Sequence, residues 1–329
     1  GGWTLGREVI DTMGGKIVPA SQFSLTASAV ILFFIGLSLL ISNLSGVPAS
    51  TSMTAVGAIA GLGVATGTIR WEVMGRIVSW WLVAPTVAFL AGGIIGRYLY
   101  IHLDNFFQID STEGDMLRYR KGIPVGLEKD TGYGEFISSA LVLCIACYMA
   151  FSAGASNVAN AIAPLVAGGD GIIGTNIGII LGVAAIGIGS FTLARKTLDT
   201  VGDGITELPI MASLVVSAVS ASIITVLSQM GIPASLAISA TMCITGLGWG
   251  RASRTVKVKD TLQGEKPEMN TAALKENTGK QIGEEDPDDI PEKKLFNPEI
   301  ISQVITMWIM TPVISATASY LVFMALNSI

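Results

Sequence analysis

The sequence predicts an all-α integral membrane protein, a polytopic helical bundle of two inverted-topology repeats with interrupted helices and helical hairpins. Three observations carry this. Only 14% of the 329 residues are charged, while 50% are hydrophobic, and the mean hydropathy of +0.61 lies far above that of water-soluble domains. Read only for Asp, Glu, Lys and Arg, the chain is free of charge over 17–69, 77–96, 136–169, 171–194, 208–250 and 300–329. Finally, the chain repeats itself.

A helical crossing takes about 20 apolar residues, because the hydrocarbon core is roughly 30 Å thick and a helix rises ~1.5 Å per residue. Runs 77–96 and 171–194 each fit one crossing, whereas 17–69 and 208–250 are each long enough for two. Both long runs are broken near the middle by the same punctuation, Gly46-Val47-Pro48-Ala49-Ser50 and Gly231-Ile232-Pro233-Ala234-Ser235, so both read as helical hairpins. The predicted spans are 22–44, 48–69, 77–99, 136–152, 172–194, 210–230, 233–250 and 299–326. Glycines four apart, Gly57/Gly61, Gly63/Gly67, Gly92/Gly96, Gly178/Gly182 and Gly246/Gly250, allow helix backbones to approach closely. Trp80, Trp81 and Trp308 are expected as anchors at span ends or on lipid-facing turns.

The repeat is visible by self-comparison. Residues 1–17 align without gaps to 189–205 with eight of 17 pairs identical, and the order continues through the two Pro-Ala-Ser turns to Trp81/Pro85 and Trp308/Pro312. The organisation is then a first repeat over 1–100, a polar cytoplasmic loop over 101–135, and a second repeat over 136–250. A charged, partly disordered cytoplasmic loop over 251–298 and a final crossing over 299–329 complete the second repeat. With Arg251, Arg254, Lys257 and Lys259 inside, 16 of the 20 basic residues fall on the cytoplasmic side. Five crossings then separate Ser50 from Ser235, and an odd number makes the copies face opposite ways. The chain starts at Gly1, and the N-terminal part of the first repeat is expected to be missing.

The same numbers exclude classes. A net charge of −5, with Lys and Arg gathered in a few polar stretches and forming no stripe, disfavours a nucleic-acid partner, and three Cys make no disulfide framework. Cys144 and Cys147 have redox-motif spacing but lie inside an apolar span, and His102 is the only histidine. No transition-metal site, cofactor or hydrolase pair is therefore expected, and the protein is not read as an enzyme. Inverted duplicates broken by Gly and Pro at matching positions point to a secondary transporter with its site between the repeats. A channel or a non-transporting scaffold is the rival reading.

Three constellations can hold a solute. Ser156, Asn157 and Asn160 lie among small residues in an uncharged run, and Asn157 and Asn160 share a helix face. Their carbonyls suit a cation and their amide hydrogens an oxyanion, but interhelical hydrogen bonding is an equal reading. The Pro-Ala-Ser turns offer helix N-termini with hydroxyls beside them, Ser50, Thr51 and Ser52 in one copy and Ser235 in the other, either as anion donors or as helix caps. Asp11-Thr12 and Asp199-Thr200 recur with Arg7 and Arg195 four residues before each Asp, which fits either structural ion pairs or a part in cation coupling.

The stretch Gly154-Ala155-Ser156-Asn157-Val158-Ala159-Asn160-Ala161 resembles the Gly-Ala-Asn-Asp-Val-Ala-Asn motif of the inorganic phosphate transporter family, the cation-coupled phosphate symporters. Pro48-Ala49-Ser50-Thr51-Ser52 resembles that family's Pro-x-Ser-Thr-Thr segment, and Pro233-Ala234-Ser235 resembles it in part. The resemblance implies phosphate uptake through the plasma membrane by alternating access, coupled to Na⁺ or H⁺, with a homo-oligomer as a possible assembly. It assigns the anion to Ser50, Thr51, Ser52, Ser235, Asn157 and Asn160, and the cation to the Asn motif, with Asp11, Thr12, Asp199 and Thr200 as further candidates. Here Ser156 and Asn157 stand where the family has Asn and Asp, and Leu236 and Ala237 replace two hydroxyls, which brings in sulfate as the alternative substrate. The first-repeat partner of Asn157 would lie before Gly1.

Overall fold

Each predicted crossing is occupied by a helix in the computed structural model, which describes residues 1–44, 49–107, 117–120, 123–127, 133–167, 173–192, 209–255 and 298–327. In chain order these are α1 (Gly6–Asp11), α2 (Leu25–Leu44), α3 (Thr51–Ala65), α4 (Trp71–Ile94), α5 (Tyr100–Phe107), α6 (Tyr133–Val166), α7 (Thr175–Thr192), α8 (Ile210–Gln229), α9 (Leu236–Ala252) and α10 (Pro298–Asn327). A π-helical turn over Thr12–Lys16 prolongs α1, and another over Ile95–Leu99 joins α4 to α5. The segment expected as a polar loop over 101–135 thus begins as helix, and it also contains a two-stranded antiparallel ribbon, β1 (Leu117–Arg120) and β2 (Ile123–Leu127).

Six helical segments among the described residues are long and apolar enough to cross a bilayer. The second arms of the hairpins, predicted as full crossings, are shorter: α3 has 15 residues and α9 has 17. The reason is local. Ser50 (φ −84°, ψ 107°) and Ser235 (φ −98°, ψ 117°) are extended, so each helix begins only one residue after its Pro-Ala-Ser turn. At ~1.5 Å per residue, such helices fall short of a roughly 30 Å core. Helix α6 departs in the other direction. It runs 34 residues, through the Asn motif and past the predicted end at 152, and carries Pro164 near its C-terminal end.

The duplication reappears in the packing. Helix α3 of the first copy lies along α10 of the second, and α9 of the second lies along α4 of the first. The register is shared. Gly61 meets the Ala316 carbonyl so closely that an added Cβ would collide with it, and Gly246 meets the Phe89 carbonyl in the same way. Gly246 follows Gly61 by the 185 residues that separate Ser235 from Ser50, and Ala316 follows Phe89 by the 227 that separate Pro312 from Pro85. One turn on, Ser319 Oγ donates to the Ala58 carbonyl at 2.7 Å, and the matching Gly92 abuts the Cys243 carbonyl. These bare backbone contacts are what small residues at helix interfaces allow in lipid.

Gly178 and Gly182 of α7 instead make room for side chains of α6, those of Val166 and Ile162. The pair Gly63/Gly67 does not: Gly67 has φ +66° and ends α3, a conformation glycine adopts without steric cost. The main apolar core joins Met13, Ile17, Ile31, Ile59, Ile77 and Ile162. Large side chains such as Phe33, Leu82, Leu90, Ile180 and Phe191 point outward as a lipid-facing surface. Trp81, expected as an interface anchor, sits mid-helix in α4 and donates its Nε1 hydrogen to the Pro233 carbonyl at 2.9 Å, tying α4 to the second hairpin turn. The Trp308 indole nitrogen is likewise buried.

Arg97 donates to the Ser253 carbonyl, and Arg254 to the Arg97 carbonyl at 2.6 Å, so the 97–135 and 251–298 segments leave from one place. Ile17 and Arg70 meet at another, the Arg70 amide donating to the Ile17 carbonyl at 2.9 Å.

Candidate functional site

The two hairpin turns meet, and they meet on α6. Ser50 caps α3 by accepting the Met53 N–H at 3.2 Å, and Ser235 caps α9 by accepting the Ile238 N–H at 3.3 Å. These caps leave the N–H groups of Thr51 and Ser52, and of Leu236 and Ala237, without intrahelical acceptors, as at any helix start. The next two side chains of the first turn reach across to α6. Thr51 Oγ1 donates to Asn157 Oδ1 at 2.8 Å, and Ser52 Oγ lies 3.0 Å from Ser156 Oγ. Asn160 Nδ2 donates to Thr51 Oγ1 at 3.2 Å and to Ser52 Oγ at 3.0 Å, with Asn157 Oδ1 farther off at 3.5 Å.

The second turn contributes backbone. Ser52 Oγ and Ser156 Oγ each donate to the Ala234 carbonyl at 2.9 Å, so one peptide oxygen between Pro233 and Ser235 fastens both the first hairpin and α6. That carbonyl was not legible as a ligand, since the sequence signal at Pro233-Ala234-Ser235 lies in its side chains. The helix itself explains the placing of the α6 residues: Ser152, Ser156 and Asn160 are four apart and form one buried stripe, with Ser152 Oγ donating to the Ala221 carbonyl at 2.9 Å. Near the end of the helix, Pro164 has no N–H to give the Asn160 carbonyl, and its own carbonyl accepts Ser28 Oγ at 2.5 Å.

Ser50, Ser52, Ser156 and Asn160 are buried, and Asn157 is half-buried. The cluster is uncharged: among the described residues no Asp, Glu, His, Lys or Arg side chain bonds to it. One atom stands out. Asn160 Oδ1 is buried with no hydrogen-bond partner, and a buried acceptor left unmatched costs about 1–3 kcal/mol.

The remaining candidates lie elsewhere. Asp11 is exposed, and Arg7 gives its guanidinium to the Trp3 carbonyl at 3.0 Å and to Asn176 Oδ1 at 2.6 Å instead of pairing with Asp11. Thr12 is buried and donates to the Glu8 carbonyl at 3.0 Å, packing against Gly231 (φ +68°) at the tip of the second hairpin. Asp199 and Thr200 lie outside the described residues.

A centre of hydroxyls, amides and helix N-termini at the junction of two duplicated hairpins holds donors of the kind that anions bind. The profile of the phosphate transporter family (PHO4) matches residues 1–319. The chain belongs to the phosphate transporter family. As a member it is a multi-pass membrane protein and a transporter, not an enzyme. It is similar to the sulfate permease CysP of Bacillus subtilis (strain 168), with 31% identity over 258 residues. That match takes in 78% of this chain and spans 66% of the length of CysP. The solved structure of the sodium-dependent phosphate transporter shares the fold with a TM-score of 0.61, covering 98% of this chain and 85% of that one at 17% identity.

Proposed function

We propose that this protein is a secondary active transporter of a tetrahedral oxyanion, phosphate or sulfate, driven by a cation gradient across the plasma membrane through alternating access. The observation that carries the reading is the meeting of the two Pro-Ala-Ser turns at Ser156, Asn157 and Asn160 through Ser52 and the Ala234 carbonyl. Asn157 Nδ2 and the Thr51 and Ser52 hydroxyls, once turned from Asn157 Oδ1 and the Ala234 carbonyl, donate to the anion, with the capping hydroxyls of Ser50 and Ser235 beside them. The free N–H groups of two helix starts add positive partial charge from both repeats. No fixed cation holds the substrate there, which lets it leave on the other side.

The coupling ion is Na⁺ or H⁺, and the cluster favours Na⁺. Asn160 Oδ1 is a buried neutral oxygen in search of a positive partner, a ligand type that hard cations take. Among the described residues no carboxylate or imidazole bonds to the cluster to carry a proton. Movement of one repeat against the other, with the α3–α10 and α9–α4 contacts as packed units, would expose the junction to each side in turn.

The test is uptake of labelled phosphate and sulfate into proteoliposomes under an imposed Na⁺ or H⁺ gradient. A transporter accumulates one of them against its own gradient, and Asn160→Ala, expressed and inserted normally, loses that accumulation. Equilibration without accumulation would mean a channel, and no flux of either ion a scaffold; each of these defeats the reading.

A further inference from the structure

We propose that an apolar cavity between the two repeats is a binding site for one acyl chain of a membrane lipid. The site is separate from the polar cluster and does not depend on what the protein carries. The cavity measures about 550 Å³, within the ~300–1,000 Å³ of small-molecule sites. It is enclosed by α3 and α4 of the first repeat and by α9 and α10 of the second. Its walls come in matched pairs. Met53 and Ile238 stand at the 185-residue offset of the two hairpin serines, and Trp81 with Trp308 and Leu82 with Ile309 stand at the 227-residue offset of Pro85 and Pro312. The two copies therefore face each other across the cavity.

The lining selects hydrocarbon. Every residue of it is apolar or glycine. The two indoles carry its only side-chain N–H groups, and neither serves a guest: Trp81 gives its hydrogen to the Pro233 carbonyl at 2.9 Å, and the Trp308 nitrogen is buried. A water held there would need two to four polar partners, and an oxyanion would need donors. The mouth settles where the guest comes from. Leu82, part of the lipid-facing surface, is 71% exposed and Ile309 is 62% exposed, with Val78 and Val313 beside them. These residues belong to the crossings Trp71–Asp104 and Thr306–Leu326, so the cavity is continuous with the lipid-facing surface at a depth where the surroundings are acyl chains.

The cavity also reaches the two helix starts. Met53 and Ile238 line it with their side chains, and their backbone N–H groups are the ones that Ser50 Oγ and Ser235 Oγ accept at 3.2 and 3.3 Å. A chain lying in the cavity thus packs on the first turns of α3 and α9. It completes with lipid a contact between the repeats that the protein's own side chains leave open, gaining the dispersion contacts of both walls.

The experiment reconstitutes the protein in vesicles of phosphatidylethanolamine and phosphatidylglycerol, in which some phosphatidylglycerol carries a photoactivatable diazirine along one acyl chain, and maps the labelled residues after illumination. Bulk lipid labels outward residues such as Leu90 and Phe191. A resident chain is expected to label the inner wall as well, at Met53, which is buried, and at Ala60. Val78→Trp at the mouth and Ala60→Phe inside each put bulk into the cavity, and a clash of this kind should lower Met53 labelling at least about tenfold while Leu90 and Phe191 stay unchanged. Three results overturn the proposal: no label at Met53 or Ala60 in the unmutated protein, Met53 labelling unchanged in properly inserted Val78→Trp and Ala60→Phe, or copies of the chain cross-linked to each other through Leu82 and Ile309, which would assign the mouth to a second copy. The unmutated protein alone gives the first and third, so a variant that fails to insert does not block the answer.

Discussion

The two helix starts that follow the Pro-Ala-Ser motifs have the same cap and different chemistry. Ser50 and Ser235 adopt nearly the same dihedrals, cap their helices through the same bond, and start helices of similar length. Beyond the cap they diverge: Thr51 and Ser52 in the first turn enter the polar cluster, while Leu236 and Ala237 in the second bring no hydroxyl and only the Ala234 carbonyl takes part. Both copies thus keep the serine that starts the helix, and the first brings more side-chain hydroxyls to the cluster.

The largest effect should follow from erasing that difference. Thr51→Leu with Ser52→Ala turns the first hairpin into a chemical copy of the second and removes two hydroxyls from the cluster. Hydrogen bonds to charged groups are worth about 1.5–3 kcal/mol each, so oxyanion uptake should fall roughly 100-fold or more with insertion intact. Leu236→Thr with Ala237→Ser is the opposite exchange, and its retained uptake serves as the control. If both exchanges lowered uptake equally, the asymmetry between the turns would have no functional meaning.

A second break targets the packing that the copies share. Leu in place of Gly246 puts a branched side chain where the Phe89 carbonyl already sits, and overpacking of this kind costs about 1–3 kcal/mol or more. Loss of folded protein on detergent extraction is the expected readout. Ser319→Ala, at the neighbouring level of the related contact, removes one hydrogen bond to Ala58 and should cost only about 0.5–1.5 kcal/mol.

Much of this was legible in the sequence because lipid imposes a simple rule. Uncharged runs gave the crossings, and the Pro-Ala-Ser repeats put both helix starts, expected at 48 and 233, three residues before where they fall. Thr51, Ser52, Ser156, Asn157 and Asn160 were singled out as polar groups without an evident partner in apolar surroundings, and they converge. Three things were hidden. The end of α6 was missed because hydropathy locates a crossing and not a helix end: the expected span stops at 152, while the helix runs on through the polar motif to Val166, with Pro164 near its end, where a proline disturbs few hydrogen bonds. The shortness of α3 and α9 follows from extended serines whose dihedrals hydropathy does not report. Arg7 finds Asn176, 169 residues away in the chain, where local spacing offered Asp11, because a tertiary partner displaced the i,i+4 one.

The smallest effects separate the capping serines from their neighbours. Ser50→Ala and Ser235→Ala each delete an N-cap acceptor, at about 1 kcal/mol apiece, so the two variants should show similar, small losses of thermal stability in detergent. Uptake should not be similar. Ser50 immediately precedes the hydroxyls that bond Asn157 and Asn160, and loosening its cap frees the start of α3 to shift those groups; Ser235 precedes Leu236 and Ala237, which make no such bonds. The ratio of uptake loss to stability loss should therefore be larger for Ser50→Ala. Equal ratios would mean that the two helix starts serve the substrate alike, and that the missing hydroxyls of the second repeat are supplied by its backbone N–H groups instead.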